Sequence, residues 1–325
     1  MRDGFGRTID YLRVSVTDKC NLRCIYCMPP EGVEWMPHSE VLTLEETQKI
    51  CAAAASVGVS KIKVTGGEPL VRRGLSTFIR SVKGTRGIES VTLTTNAVLL
   101  GDFLDELVDA GIDAVNISLD TLNADVFRYI TGSDGFERVL RSMGMARAAG
   151  LAVKVNCVPI RGVNEADIVP LAELARHEQM AMRFIELMPL GLGANLVPIP
   201  HAETFERLER ALGVLRPFDG RLGNGPASYY SVEGFAGKIG FISAVSHSFC
   251  GGCNRLRLTG TGLLKPCLAS DAGVDLKAIV RGGGDILAIA GALRAAIMLK
   301  PMRHDFYRND GGKRHKKKNM FRIGG

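Results

Sequence analysis

The sequence predicts an α/β fold built on a parallel sheet. Three observations predict it: six short β-rich runs between residues 9 and 187, helix-like stretches between them, and glycines where those helices should end. The first run is Leu12–Val16. A helix over Thr43–Val57 follows, with Thr43 as N-cap and Glu46 three residues on, the pattern of a capping box. Then strands Lys61–Thr65, Ser90–Thr94, Ala114–Ser118, Ala152–Cys157 and Ala181–Glu186 alternate with helices Leu75–Lys83, Phe103–Ala110, Phe136–Ala149 and Ala166–His177. Gly58, Gly111 and Gly150 stand at expected helix ends. Right-handed crossovers make such a series parallel. Six units suit either an open doubly wound sheet or an incomplete (β/α) barrel. No GxGxxG follows the first strand, which disfavours a dinucleotide-binding domain. Asp18, Gly66–Glu68, Thr95–Asn96, Asp120, Asn156 and Glu186 fall at or just after strand ends, the rim where both architectures build sites.

Beyond Pro189 the pattern changes. Gly191–Pro200 is a Gly/Pro-rich connection, and turns surround Asp219-Gly220. Short strands are expected at Tyr229–Val232, Lys238–Ile242, Leu256–Thr259 and Leu263–Pro266, and helices at Val274–Val280 and Ile286–Leu299.

Composition narrows the function. The chain has 325 residues and a net charge of +7, but Lys300–Gly325 alone carries nine basic and two acidic residues. The rest is neutral, so a nucleic-acid-binding face is not expected. The run Lys313–Lys318 reads as a solvated stretch. MRDGFGRTID has no apolar core of a secretory signal, and Ile286–Leu299 is too short to span a bilayer and contains Arg294. A cytoplasmic protein without membrane contact is expected, either monomer or homodimer. Cysteines there stay reduced, so eight of them point to metal or redox chemistry.

Six of the eight form two sets of three. Cys20, Cys24 and Cys27 are spaced C-x3-C-x2-C; Cys250, Cys253 and Cys267 are spaced C-x2-C-x13-C. Cys51 and Cys157 read as small buried hydrophobes. Structural zinc wants four ligands. The first set has no near fourth ligand, whereas His247 could complete a zinc site at the second. The better reading is a 4Fe–4S cluster at each set, with one iron left open to bind a small molecule.

Cys20-Asn21-Leu22-Arg23-Cys24-Ile25-Tyr26-Cys27 and Gly66-Gly67-Glu68-Pro69 resemble the two signatures of the radical SAM superfamily. Tyr11–Asp18, Thr94–Asn96, Asn116–Asp120, Lys154–Asn156, Arg183–Met188, Phe249–Leu258 and the terminal Ile323-Gly324-Gly325 resemble the GTP 3',8-cyclase family (molybdenum cofactor biosynthesis protein A). The match runs from about Arg7 to Gly325.

The resemblance implies an incomplete (β/α)6 barrel of the triosephosphate isomerase type, closed by a C-terminal extension carrying a second iron–sulfur cluster. Residues 1–225 would form the radical SAM partial barrel, and 226–325 the cluster-binding and barrel-closing region. It implies that Cys20, Cys24 and Cys27 hold the cluster that binds S-adenosylmethionine, with Tyr26, Gly67, Ser118 and Met188 completing that pocket. Cys250, Cys253 and Cys267 would hold the second cluster, whose open iron takes the guanine of GTP. Arg13, Lys63, Thr94, Lys154, Arg183, Arg255, Leu256 and Arg257 match substrate contacts, and Arg13, Gly324 and Gly325 match catalytic positions, the Gly-Gly end entering the active site. An external electron donor is implied, and cyclic pyranopterin monophosphate synthase is the pathway neighbour.

The residues themselves agree in kind. Arg255 and Arg257 alternate along a strand and share a face. Paired guanidiniums suit phosphate. Bland readings compete: Lys63 as a snorkelling surface lysine, Thr94 and Ser118 as groups satisfying rim backbone, Gly66-Gly67 as a tight turn, Met188 as core filler. Ala97 stands where the family usually has Gly, and its Cβ disfavours positive φ. Two rivals remain: another radical SAM enzyme with an auxiliary cluster, such as a peptide maturase, and a zinc-dependent nucleic-acid-binding module.

Overall fold

The computed structural model describes residues 1–220, 222–270, 272–306 and 320–322. The first half alternates strand and helix: β1 (Tyr11–Ser15), α1 (Leu44–Ser56), β2 (Lys61–Thr65), α2 (Leu75–Lys83), β3 (Ser90–Thr95), α3 (Leu100–Asp109) and β4 (Ala114–Ser118). After β4 come α4 (Ala124–Thr131) and α5 (Phe136–Ala148), then β5 (Ala152–Cys157), α6 (Ile168–His177), β6 (Ala181–Ile185) and α7 (His201–Leu212). The remainder holds β7 (Arg216–Phe218), β8 (Ser228–Ser231), β9 (Lys238–Ile242), β10 (Arg255–Leu258), β11 (Leu263–Lys265), β12 (Val274–Asp275), α8 (Leu276–Arg281) and α9 (Ile286–Met298).

These strands form one sheet in the order β12-β11-β10-β1-β2-β3-β4-β5-β6-β9-β8-β7. β1 to β6 are parallel and in chain order. β10 adds parallel to the free side of β1, and β9 parallel to the free side of β6. Antiparallel strands finish both edges. The strands alternate: Leu12, Val14, Ile62 and Val64 are buried on the face that the helices must cover, while Arg13 and Lys63 point to the other face. The helices supply the cover through 3.6-residue patterning: α2 buries Leu75, Phe78, Ile79 and Val82 on one stripe.

Local signals act as the sequence indicates. Thr43 Oγ1 accepts from the Glu46 amide at 3.1 Å, and Glu46 Oε2 accepts from the Thr43 amide at 2.8 Å, closing the capping box. Gly58, Gly111 and Gly150 have φ of +94°, +82° and +78°, the left-handed turn that ends a helix.

Some elements differ from expectation. Val274–Val280 is not one helix. Val274 pairs with Leu264 as a strand, and the Asp275 side chain accepts from the Ala278 amide and caps α8. α3 starts at Leu100 rather than Phe103, and α6 at Ile168 after a short 3-10 turn. α4, α7 and β7 are additional. No helix among the described residues is long and apolar enough to cross a membrane.

Candidate active site

One cavity of about 950 Å³ is lined from eight strands, β1 to β6 with β9 and β10. Its lining includes residues from both ends of these strands, such as Lys61 and Thr65 of β2 or Ala114 and Ser118 of β4, so it runs the length of the sheet.

Both cysteine sets open onto it. All six thiols are unbridged. Among the described residues no three His, Cys, Asp or Glu side chains converge closely enough for a single metal ion. His247 instead bonds Ser246 Oγ at 3.1 Å and packs near His201. Thiols of one set that face a shared space without converging on a point suit a cubane, whose irons each take one ligand.

The first set sits on the loop after β1. Cys20 Sγ accepts from the Leu22 amide at 3.4 Å and from Asn96 Nδ2 at 3.9 Å. Burial pushes the Cys20 thiol up to about 11 and the Cys27 thiol up to about 12. The loop is fixed by its neighbours. The Gly67 amide donates to Thr17 O and the Glu68 amide to Lys19 O, both at 2.8 Å. A Cβ on Gly67 would lie 2.4 Å from Lys19 O, and one on Gly66 2.7 Å from Thr17 O. The glycines therefore let the end of β2 press against the chain entering Cys20. Glu68 is buried and accepts from the Leu70 amide, Thr95 Oγ1 and the Asn96 amide. Burial still raises it to about 7. Tyr26 donates to Asp120 Oδ2 at 2.6 Å. Ser118 and Met188 line the same end of the cavity.

The second set differs electrostatically. Cys250 opens a 3-10 turn, Cys253 ends it, and Cys267 follows β11. Burial would raise the Cys253 thiol, but Arg255 and Lys300 outweigh it and hold it down at about 7. Arg255 Nη2 lies 3.9 Å from Cys253 Sγ.

Between the two sets lies a band of cations. Arg13, Lys63, Lys154, Arg183, Arg255 and Arg257 all line the cavity. Lys63 is 8% exposed, so it does not snorkel to solvent. Burial, then repulsion from Arg183, Arg13 and Lys154, pushes its ammonium well below the ordinary lysine value. Burial and Arg183 bring Lys154 down to about 8. Glycine makes room here too. Gly240 pairs in register with Arg183, and a Cβ there would come within 2.9 Å of Arg183 Cγ. Arg183 Nε donates to Asn156 Oδ1 at 2.9 Å. Thr94 Oγ1 accepts from Asn116 Nδ2 at 3.4 Å, while Asn116 Oδ1 is buried without a hydrogen-bond partner.

Leu256 does not line the cavity: it is fully buried in the core, on the opposite face from Arg255 and Arg257. Any contact it makes to a ligand would come from its main chain. Gly324, Gly325 and the run Lys313–Lys318 lie outside the described residues. Lys300, Asn116 and Phe321 also line the cavity; Asn116 opens the stretch Asn116–Asp120 without a site role of its own in the sequence reading, and Lys300 and Phe321 sit in no recognisable spacing.

Residues 14–175 match the Radical SAM superfamily, and residues 180–306 match Molybdenum Cofactor Synthesis C. A protein named GTP 3',8-cyclase from Pelotomaculum thermopropionicum is 47% identical over 308 residues, 94% of this chain and 95% of that one. The chain belongs to the GTP 3',8-cyclase family. Relatives of the same name from Moorella thermoacetica (44% identical, 94% of this chain and 95% of that one) and Desulforamulus reducens (42%, all of both chains) agree. As a radical SAM enzyme, a GTP 3',8-cyclase family member uses a 4Fe–4S cluster and S-adenosylmethionine. Among solved structures, Streptococcus suis SuiB bound to S-adenosylmethionine is similar with a TM-score of 0.61 at 14% identity, covering 92% of this chain and 73% of that one. That likeness shows the fold alone.

Proposed function

We propose that this chain converts GTP to (8S)-3',8-cyclo-7,8-dihydroguanosine 5'-triphosphate, the first step of molybdenum cofactor biosynthesis. The observation that carries the reading is the convergence of six cationic side chains, from five strands, on one cavity that also holds both cysteine sets. Lys63, Arg183 and Arg257 are buried and the other three half-buried, and mutually repelling cations in such a cavity are costly unless a polyanion joins them. A triphosphate is such a polyanion, and the Arg forks give it paired, charge-assisted bonds.

Cys20, Cys24 and Cys27 would hold one 4Fe–4S cluster, and Cys250, Cys253 and Cys267 a second. When bound, the first would supply the electron that splits S-adenosylmethionine into methionine and the 5'-deoxyadenosyl radical; that radical would take the 3' hydrogen of GTP, C3' would bond to C8 as the C8–N7 double bond opens, and one further electron from the external donor with a proton would quench the radical left on the purine. The protein's own part is placement and exclusion of water. Tyr26, Gly67, Ser118 and Met188 form the wall of the S-adenosylmethionine end. Arg13, Lys63, Thr94, Lys154, Arg183, Arg255 and Arg257, with the Leu256 main chain, hold the nucleotide. Asn116 Oδ1, a buried acceptor without a partner beside Thr94, suits a hydroxyl donor of the substrate. Phe321, almost fully buried, covers the cavity near Cys27. Gly324 and Gly325 act with Arg13 on the reacting substrate.

In the same reading the parallel strands form an incomplete (β/α)6 barrel around the cavity. Residues 1–225 are the radical SAM unit and 226–325 the closing, cluster-bearing unit. A cavity lined along the full length of eight strands supports that curvature.

Anaerobically reconstituted protein supplied with GTP, S-adenosylmethionine and dithionite should release 5'-deoxyadenosine and a cyclised nucleotide in step. Deoxyadenosine with unchanged GTP overturns the assignment.

A further inference from the structure

Two buried cations stand behind the second cysteine set, and neither belongs to the band that faces the nucleotide. The Arg7 guanidinium, 8% exposed, donates from Nη1 to Cys250 O at 2.8 Å and to Met302 O at 3.2 Å, and from Nη2 to Pro301 O at 2.8 Å. Its Nε pairs with Asp3 Oδ2 at 2.6 Å, so its charge is met locally. Lys300 lies two residues past the end of α9 and is 3% exposed. Its ammonium donates to Arg255 O and to Pro266 O, each at 2.8 Å. Among the described residues no carboxylate pairs with it. The same segment continues to His304, whose amide donates to Cys250 Sγ at 3.3 Å.

Each cysteine of the set is thereby held. Cys250 is gripped at its carbonyl by Arg7 and at its sulfur by the His304 amide. Cys253 lies two residues before the Arg255 carbonyl that Lys300 grips, and Cys267 directly follows Pro266. A buried ammonium without a carboxylate is costly, and three thiolates with a cluster between them are its missing counter-charge. We propose that Arg7 and Lys300 are positioning residues of the second cysteine set. Arg7 fixes its geometry from the N-terminal turn, and Lys300 offsets the charge of an anionic iron–sulfur centre there. This rests on the reading that the second set holds a cluster.

The test uses the full chain, anaerobically reconstituted, with iron content and the reduction potential of each cluster as readouts. Wild type should hold about eight irons, four per site. About four in wild type would refute the second cluster itself, whatever the variants do. Arg7→Lys keeps a charge but loses the fork that reaches three carbonyls. It should fall to about four irons while the signal that responds to S-adenosylmethionine stays. Lys300→Gln keeps a donor but loses the charge, and should move the second cluster to more negative potential. Lys300→Arg should restore it, a rescue that a merely structural role would not give, because net charge near a cluster sets its potential. With eight irons in wild type, unchanged iron in Arg7→Lys and unchanged potential in Lys300→Gln overturn the proposal and leave the two-cluster reading standing.

Discussion

The Tyr26 hydroxyl donates to Asp120 Oδ2 at 2.6 Å, tying the loop of the first cysteine set to the turn after β4. Asp120 is buried, its other oxygen accepts from the Val158 amide, and burial raises it to about 6. One side chain thus aligns the ends of three elements. Tyr26→Phe removes the donor and leaves a buried carboxylate short of a partner. It should cost about 1–3 kcal/mol in urea unfolding. An unchanged midpoint would show that the bond contributes nothing.

Gly67 has a packing role that any side chain would break. Its missing Cβ would stand 2.4 Å from Lys19 O and 2.7 Å from Asp18 O. Backbone atoms cannot swing aside as a side chain can, so Gly67→Ala must push Lys19, and with it Cys20, away from β2. Iron at the first set should drop while the second keeps its own. Full retention of both would mean that the loop gives way at no cost.

Lys154 sets a pH dependence. Its ammonium is held near 8 by burial and by Arg183, and a bound polyphosphate favours the charged form. Binding then takes up a proton above about pH 8, and nucleotide affinity should weaken as pH rises from 7 to 9. Lys154→Arg stays charged throughout and should flatten that slope. Equal slopes for the two proteins, measured by calorimetric titration, would remove Lys154 from the phosphate site.

Ala97 holds φ of +61°, the sole non-glycine with positive φ among the described residues. Its amide donates to Thr95 Oγ1 at 2.9 Å, which helps the turn hold this shape. Ala97→Gly relieves about 1–2 kcal/mol of backbone strain. It also gives back about 0.5–1 kcal/mol through chain entropy and about 0.8 through a lost buried methyl. Stability should change by less than about 1 kcal/mol. Ala97→Val combines positive φ with a branched Cβ in a site with no exposure and should cost more than about 2 kcal/mol. Chemical denaturation of both variants checks the contrast.

Much of this was legible because its signals are local. Lys61–Thr65, Ala114–Ser118 and Ala152–Cys157 are strands over the expected bounds, and the Thr43–Glu46 box opens α1 where its residues say. The cysteine spacings and the alternation of Arg255 and Arg257 led straight to the cavity. What stayed hidden depends on distant partners. α4 is only two turns long and signalled by one cap, Asn123, while α7 is rich in Glu and Arg and follows a Gly/Pro stretch. The pairing of β10 with β1 and of β9 with β6 joins segments far apart in the chain, which no periodicity reveals. Arg7 and Lys300 lie in no motif; only the folded chain brings Arg7 to the Cys250 carbonyl and Lys300 to the carbonyls of Arg255 and Pro266.

The pairing of Tyr11 with Arg255 also governs the order of assembly. A ribosome has released most of the polypeptide before β1 meets its second neighbour, and long-range pairing of this kind is slow. When it forms, Arg13 lands in register with Arg257, two cations side by side. Nascent protein therefore passes through a stage in which the earliest strand has one open edge and the first three cysteines are already made.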